Sequence, residues 1–298
     1  MLLPTFLIAG VPKGGTTALW EYLNEHPEIF MARVKEPHFF SRVRGTLENG
    51  VRRPGPARFV NFNKGVEWYE SLFDGSAHAR ARGEASTEYF SAPDSPDLIK
   101  EFIPDVRMIY LLRDPVKRLY SHFWYDQKLG WEELHGHKIT GEDDPLLQYY
   151  IGVSHYRVHL ERHLSKFGRD RILILLYEDL NARPLETFRK VCRFLGVDPG
   201  FVPAGIGKAF NPQTLPRFRF LTRAINKLRY TEASDRLPGR LRTFLGNAWR
   251  SLDGITMVAH RYPPMSPAMR SRFIERFADD IDYVEKLVGR SLDSWRAA

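Results

Sequence analysis

The feature that most constrains the fold is an apolar segment that runs directly into a glycine-rich turn and then into a helix. Residues 5–10 (TFLIAG) are short, apolar and ended by glycine, which predicts a buried strand. The turn continues to Thr17, and a helix is predicted from Gly14 to Asn24. Backbone N–H groups at the start of such a helix face an anion, and glycines let the backbone approach it closely. The segment therefore predicts a cradle for a phosphate or a sulfate.

Apolar strands and helices continue to alternate along the chain. Further strands are predicted at residues 82–86, 106–112 and 171–177, and a helix at about 184–195. Another helix follows the strand at 106–112, since Asp114 is suited to cap it and Pro115 suits its first position. This alternation predicts an α/β fold in which a central parallel sheet is flanked by helices on both faces.

Three stretches interrupt the alternation, at about 42–64, 127–145 and 203–264, and they are rich in glycine, proline or polar residues. The sequence shows no internal repeat and no low-complexity tract, so we predict one domain over residues 1–298 with these three excursions. The single cysteine, Cys192, excludes a disulfide within the chain and a cysteine-cluster metal site. It is predicted to be a small buried side chain on a helix.

The chain has a formal net charge of +8, and the excess is concentrated in one segment. Residues 217–250 hold nine Lys/Arg and two Asp/Glu, with apolar residues at helical spacing. Two basic amphipathic helices are expected there, which either pack on the core with solvated arginines, border a substrate cleft, or lie on an anionic membrane. No run of eighteen apolar residues and no signal-peptide leader is present, so a cytoplasmic location is expected.

The glycine-rich turn departs from the P-loop pattern G-x-x-x-x-G-K-[ST] that binds Mg-ATP. Gly10 and Gly15 keep its spacing, but Thr16 stands at the lysine position and the only lysine, Lys13, lies inside the loop. The clearest predicted strand leads to Arg113 rather than to an aspartate that would hold Mg²⁺. The loop is therefore interpreted as an anion-binding P-loop that is not built around Mg-ATP. For the loop alone, the alternative is a turn that binds no ligand.

Residues 12–19 (PKGGTTAL) resemble the 5′-phosphosulfate loop of sulfotransferases that use 3′-phosphoadenosine 5′-phosphosulfate (PAPS), in their heparan sulfate and bacterial carbohydrate branch. Further segments resemble the family's other motifs in the same order: KEPHFFS at 35–41, KGVEWY at 64–69, GEASTEY at 83–89, YLLRDPVKRLYSH at 110–122 and GRSLDSW at 289–295. The resemblance implies a P-loop, nucleotide-kinase-like three-layer fold. It also implies transfer of a sulfuryl group from PAPS to a hydroxyl or amine, leaving adenosine 3′,5′-bisphosphate.

The resemblance also implies which residues hold the nucleotide. The residues expected at its two phosphate ends are Lys13, Gly14, Gly15, Thr16, Thr17, Arg113 and Ser121. Arg113 and Ser121 match the positions that bind the 3′-phosphate, and a guanidinium suits bidentate bonds to phosphate. The ordinary alternative is that Arg113 pairs with Asp114 and that Ser121 is a surface residue. Lys117 and Arg118 are expected to form a solvated face.

In-line sulfuryl transfer needs a cation at the leaving phosphate and a base at the acceptor. Lys13 is placed for the first task, so that no metal is required, and Glu36 matches the family's glutamate base. The alternative is that Glu36 is a surface residue paired with Lys35. His38 is the second candidate base, or a packed structural histidine. Ala85 stands where the heparan-modifying branch has a lysine, which argues against a heparan-type substrate.

Two other classes of protein remain as alternatives. An ATP-dependent phosphotransferase of P-loop kinase type would use the same kind of loop, although the displaced lysine counts against it. A non-catalytic protein that binds polyanions or membranes would explain the charge but not the motifs around Glu36 and Arg113. The sequence favours a carbohydrate, lipid or other small-molecule acceptor over a nucleic acid. It predicts neither the acceptor, nor O- versus N-sulfation, nor the oligomeric state.

Overall fold

The chain is described in a computed structural model. The structure describes residues 2–42, 47, 50–51, 61–128, 139, 141–208, 214–216, 257–259 and 262–297. The excursions predicted at 42–64, 127–145 and 203–264 therefore lie largely outside the described residues, and so does the basic segment at 217–250. Within the described residues, no helix is both long and apolar enough to cross a membrane.

Five strands form one sheet in which all neighbouring pairs are parallel. The strands are β1 (Phe6–Gly10), β2 (Ile29–Met31), β3 (Ala81–Ala85), β4 (Arg107–Leu112) and β5 (Ile172–Leu176), in the order β2-β3-β1-β4-β5. The four strands predicted from the sequence correspond to β1, β3, β4 and β5, and the parallel sheet is confirmed. The strand β2 was not predicted, since three residues are too few to show a pattern.

Helices cover both faces of this sheet. They are α1 (Thr16–Asn24), α2 (Val66–Ser71), α3 (Ser95–Phe102), α4 (Pro115–Lys128), α5 (Pro145–Ser154), α6 (Tyr156–Phe167), α7 (Tyr177–Ala182), α8 (Pro184–Leu195), α9 (Pro267–Arg276), α10 (Ala278–Val288) and α11 (Asp293–Arg296). Short 3-10 helices cover Phe62–Lys64 and Thr87–Phe90. Two three-residue strands, β6 (Thr214–Pro216) and β7 (Met257–Ala259), pair antiparallel. The helices predicted at 14–24, after Asp114 and at 184–195 are confirmed as α1, α4 and α8.

The sheet separates two hydrophobic cores, because successive side chains of a strand point to opposite faces. In β1, Leu7 faces one core and Ile8 the other, and both are fully buried. Burying such a side chain contributes roughly 1.5–3 kcal/mol. Cys192 is buried in the second core, as predicted. The three-layer α/β fold is therefore confirmed.

The helix α4 begins as its sequence predicts. The Oδ1 atom of Asp114 accepts the N–H groups of Val116 at 2.9 Å and Lys117 at 3.1 Å, which satisfies amides that have no partner in the helix. The expectation that Arg118 lies on a solvated face is wrong. Arg118 is fully buried and donates to Ser154 Oγ at 2.7 Å, and its burial lowers its pKa to about 10.

Candidate active site

The predicted phosphate loop packs directly on its neighbours at the carboxyl end of the sheet. A side chain at Gly14 would place its Cβ 2.1 Å from the carbonyl oxygen of Leu111, and one at Gly15 would lie 2.8 Å from the Tyr177 ring. Gly15 also has a φ of 93°, a conformation that favours glycine. Both glycines are therefore required by close packing, and the loop leads into the N-terminus of α1.

Lys13 connects the loop to two other elements. Its φ is 68°, and its ammonium lies 3.8 Å from the centre of the Tyr125 ring on α4. Its carbonyl oxygen accepts a hydrogen bond from Arg113 Nη1 at 3.3 Å. The loop that carries Lys13, the predicted catalytic lysine, is therefore in direct contact with Arg113, the predicted ligand of the 3′-phosphate.

Arg113 follows β4 and is held by contacts other than the alternative ion pair with Asp114. Its guanidinium carbon lies 4.6 Å from the centre of the Tyr177 ring, and its Nε is buried with no hydrogen-bond partner among the described residues. Asp114 pairs instead with Arg270 at 3.0 Å and with Lys117 at 3.6 Å. A buried N–H without a partner is costly unless a ligand satisfies it. The Nε–H group of Arg113 thus donates to neither a backbone carbonyl nor a carboxylate among the described residues.

Arg113 and Ser121 line one cavity of about 280 Å³. The other residues around it are Val116, Lys117, Tyr120, Tyr262, Pro263, Pro264, Met265 and Arg270. The wall combines guanidinium, ammonium and hydroxyl donors, which is the donor set that binds phosphate. Arg270 was not predicted as a site residue, because nothing in its local sequence indicates that it pairs with Asp114, 156 positions earlier.

Glu36 follows β2 and is fixed by groups that follow β3. Its N–H donates to the carbonyl oxygen of Ala85 at 2.8 Å. Its Oε2 accepts the N–H of Thr87 at 3.0 Å, and the Thr87 hydroxyl donates to Oε1 at 3.3 Å. The side chain of Glu36 is 28% exposed, so a substrate can reach it. The amide and the hydroxyl of Thr87 thus orient the Glu36 carboxylate.

The environment of Glu36 keeps it ionised. Burial opposes the charge, but the Lys35 ammonium, His38 and the Thr87 amide together outweigh burial and lower the pKa of Glu36. Lys35 Nζ lies 3.1 Å from Oε1, and His38 Nε2 lies 3.5 Å from Oε2. Glu36 is therefore a carboxylate at neutral pH, which is the form that accepts a proton.

His38, the second candidate base, lies beside Glu36. His38 is buried, and its backbone N–H donates to Ser86 Oγ at 3.0 Å. Its ring nitrogen nevertheless lies beside the Glu36 carboxylate. The structure thus places His38 as a packed residue that contacts the candidate base.

The fully buried Ala85 leaves no lysine at this point of the site. Another lysine, Lys35, nevertheless places its ammonium against Glu36.

The two halves of the site are joined through neighbouring strands. The strands β1 and β3 pair in register, with Ile8 opposite Ala85, so the phosphate loop and Thr87 emerge at the same edge of the sheet. Gly10 packs on Phe90, and a Cβ there would lie 2.6 Å from that residue's Cβ. Ligands of open parallel sheets bind at this edge. Throughout the described ranges, no group of three or more His, Cys, Asp or Glu side chains is arranged to hold a metal ion.

Comparisons with known proteins agree with this geometry. A family model for the sulfotransferase domain matches residues 3–203. The bifunctional heparan sulfate N-deacetylase/N-sulfotransferase 4 of Mus musculus is 30% identical over 67% of this chain and 23% of its own length. Carbohydrate sulfotransferase 15 of Homo sapiens is 30% identical over 66% of this chain and 44% of its own length. The chain thus spans less than half the length of these two relatives.

A solved structure matches over the full length of both chains. The crystal structure of a sulfotransferase from Alicyclobacillus acidocaldarius has a TM-score of 0.67 and 26% sequence identity, and the match covers 100% of each chain. The shared fold thus extends beyond the segment that the family model matches. On its sequence, its fold and the residues at the carboxyl edge of its sheet, the chain belongs to the sulfotransferase family.

Proposed function

We propose that the chain is an enzyme that transfers a sulfuryl group from PAPS to a hydroxyl or amine of an acceptor. The observation that carries the proposal is the meeting, at one edge of the sheet, of the phosphate loop, the Arg113 cavity and the ionised Glu36. When bound, PAPS supplies an activated sulfuryl group and a 3′-phosphate that ATP lacks. The family to which the chain belongs supports PAPS as the donor.

The residues proposed to hold the donor have the chemistry that it needs. The set is the one named from the sequence: Lys13, Gly14, Gly15, Thr16, Thr17, Arg113 and Ser121. The backbone of the loop and the start of α1 suit the 5′ phosphosulfate. The buried, unpaired Nε of Arg113 and the hydroxyl of Ser121 suit the 3′-phosphate.

Lys13 is proposed to neutralise the charge that builds on the leaving phosphate. Its ammonium ends a flexible stem, and its contact with Tyr125 is one that a phosphate can replace. This charge and the loop amides would supply what a metal ion supplies in Mg-ATP sites. We therefore propose that turnover needs no metal.

Glu36 is proposed to remove the proton from the acceptor group. The Thr87 amide orients its carboxylate, and 28% of the side chain is open to a substrate. Lys35 would stabilise the ionised base before the reaction. His38 is the second candidate for this role, but its side chain is more buried than that of Glu36.

The acceptor is proposed to be a carbohydrate, or a lipid or other small molecule that carries a hydroxyl or amine. The names of the relatives include heparan sulfate and carbohydrate sulfotransferases, which supports a sugar. Ala85 in place of a lysine favours a sugar other than heparan sulfate. We do not expect a nucleic-acid acceptor, and we propose a cytoplasmic location. The basic segment at 217–250, outside the described residues, would border the acceptor or an anionic membrane.

The test is an acceptor screen with PAPS that is read by mass spectrometry. We expect an acceptor whose mass increases by one sulfonate group, at a rate unchanged by EDTA. If phosphate is transferred from ATP in the presence of Mg²⁺ and no sulfonate is transferred from PAPS, the P-loop kinase alternative is correct. Neither transfer, together with binding of polyanions, supports the non-catalytic alternative.

A further inference from the structure

The backbone of Arg113 is held by a side chain from a different part of the fold. Arg113 lies between the end of β4 and Asp114, which caps α4. Its carbonyl oxygen precedes the cap, so it takes no part in the hydrogen bonds of α4. The hydroxyl of Tyr156, the first residue of α6, donates to this carbonyl oxygen at 2.7 Å. Tyr156 thus supplies a partner for a backbone group of the proposed 3′-phosphate ligand.

The ring of Tyr156 is fixed by its packing. The side chain is fully buried in the larger hydrophobic core. Its ring centre lies 5.8 Å from that of Phe90 and 6.4 Å from that of Trp295, both in edge-to-face arrangements. Phe90 is also the residue on which Gly10 of the phosphate loop packs. The hydroxyl therefore reaches Arg113 from a ring that is held in place by the core.

The junction between α5 and α6 is held by hydrogen bonds on both sides of this tyrosine. Asp280 of α10 places its Oδ2 2.8 Å from His155 Nδ1, and its Oδ1 accepts the N–H of Arg157 at 2.8 Å. Ser154 Oγ donates to the carbonyl oxygen of Pro115, the first residue of α4, at 3.1 Å. These contacts do not depend on the tyrosine hydroxyl. The junction should therefore keep its place when that hydroxyl alone is removed.

The side chain of Arg113 depends on where its backbone lies. Its Nη1 donates to the carbonyl oxygen of Lys13 at 3.3 Å, and its guanidinium carbon lies 4.6 Å from the centre of the Tyr177 ring. Its buried Nε has no partner among the described residues and is the group proposed to meet the 3′-phosphate. Because guanidinium–phosphate bonds are directional, a displaced backbone would weaken this contact.

We propose that Tyr156 is a positioning residue for the contact of Arg113 with the 3′-phosphate, and that it thereby sets the preference for nucleotides that carry this phosphate. It acts on the nucleotide only through the backbone of Arg113. The inference rests on the proposed role of Arg113. It concerns the selectivity of nucleotide binding and leaves the proton transfer at Glu36 unchanged.

The test is Tyr156→Phe, which keeps the ring and removes only the hydroxyl. Isothermal titration calorimetry measures the affinities for adenosine 3′,5′-bisphosphate and for AMP. We expect the first to fall about 3- to 10-fold, a part of the loss expected when the whole arginine contact is removed, and the second to stay near the wild-type value. The KM for PAPS should rise by a similar factor, whereas kcat at saturating PAPS should stay close to wild type.

Tyr69→Phe is the matched control. It also removes one hydroxyl from a fully buried tyrosine, but that hydroxyl donates to Glu84 of β3 at 3.2 Å and not to the turn before α4. Each variant loses one buried hydrogen bond, so we expect both melting temperatures to fall. Only Tyr156→Phe should lower the ratio of the two nucleotide affinities.

A double variant separates positioning from general stability. Once Arg113→Ala has removed the guanidinium, Tyr156→Phe should cause no further loss of affinity for adenosine 3′,5′-bisphosphate, because residues that act through one contact have non-additive effects. Additive losses would overturn the proposal, and so would an unchanged ratio of affinities in Tyr156→Phe or an equal loss of that ratio in Tyr69→Phe.

Failure of the proposed function is recognised separately. If Arg113→Ala loses the preference for adenosine 3′,5′-bisphosphate and Tyr156→Phe keeps it, Arg113 remains the 3′-phosphate ligand and only the positioning role is wrong. If Arg113→Ala keeps the preference, Arg113 is not that ligand, and the positioning role of Tyr156 falls with it.

Discussion

The ammonium of Lys13 lies 3.8 Å from the centre of the Tyr125 ring, so the lysine proposed to act at the leaving phosphate is held by an aromatic side chain of the neighbouring helix. Tyr125 is 38% exposed, and a cation–π contact at such a site contributes about 0.5–1 kcal/mol. This is weak enough for a phosphate to replace. The proposed binding of the nucleotide would therefore include an exchange of partners at Lys13.

Tyr125→Leu is expected to tighten the binding of adenosine 3′,5′-bisphosphate about two- to fivefold, because Lys13 no longer has to leave the ring. Isothermal titration calorimetry measures the change. Tyr125→Phe is the control, since it keeps the ring and should bind as the wild type does. Weaker binding in Tyr125→Leu alone would mean that the ring helps to place Lys13 on the nucleotide.

Arg113→Ala is expected to weaken adenosine 3′,5′-bisphosphate about 10- to 100-fold and AMP much less. The reason is that a charge-assisted contact to the 3′-phosphate contributes about 1.5–3 kcal/mol. Lys117→Ala is the control on the same cavity, because Lys117 is 53% exposed and its contribution is screened by water. Equal losses for both nucleotides in Arg113→Ala would remove Arg113 from the 3′-phosphate site.

Glu36→Gln is expected to lower turnover by about 10²–10⁴-fold, the usual contribution of a positioned base. Thermal-shift titration should show an unchanged affinity for adenosine 3′,5′-bisphosphate, because Glu36 is not expected to contact the nucleotide. The control is Glu67→Gln, a change of the same kind at an exposed glutamate of α2. Normal turnover in Glu36→Gln would transfer the role of base to His38.

Glu84 makes the folding stability depend on pH in a defined direction. Burial raises its pKa from 4.5 to about 7, with Glu36 adding to the rise, while Ser86, Tyr89 and Tyr69 oppose it. In the folded chain Glu84 therefore holds its proton up to higher pH than in the unfolded chain. The contribution of Glu84 to the free energy of unfolding is complete below pH 4.5. It is lost as the pH rises through about 7, by roughly 3 kcal/mol in total.

Urea denaturation at several pH values tests this. The free energy of unfolding of the wild type should fall between pH 5 and pH 8 relative to Glu84→Gln, which has no such titration. Glu36 does not interfere, because its lowered pKa affects stability only below pH 4.5. Parallel curves for the two proteins would show that Glu84 does not titrate in this range.

The sheet was largely predictable from the sequence, because strands of five or six residues alternate with helices along the chain. The strand β2 was not, since Ile29–Met31 is too short. Arg118 was wrongly assigned to a solvated face because a charged residue beside Lys117 looks exposed. In the structure α4 packs on α5, and the helical period turns Arg118 inward, where Ser154 accepts from it.

The site was predictable where its residues follow strands. Lys13 and Arg113 follow predicted strands, so the sequence locates them at one edge of the parallel sheet. Glu36 follows β2, which was not predicted, and it was named because residues 35–41 resemble a family motif. The contacts of Tyr125 and Arg270 could not be located, since each depends on how a helix packs on a distant loop. Glu84 was part of a motif that resembled the family, but its full burial and its hydrogen bond from Tyr69 could not be predicted from the sequence.

The most direct measurement of the central claim is a comparison of melting temperatures with adenosine 3′,5′-bisphosphate, with ATP and with ATP plus Mg²⁺. A ligand stabilises the folded state by RT ln(1 + [L]/Kd), so at equal ligand concentrations the three shifts rank the three affinities. We predict a clear rise with adenosine 3′,5′-bisphosphate that EDTA does not change, and a small rise with ATP that Mg²⁺ does not increase. A larger rise with ATP plus Mg²⁺ than with adenosine 3′,5′-bisphosphate would contradict the assignment of PAPS as the donor.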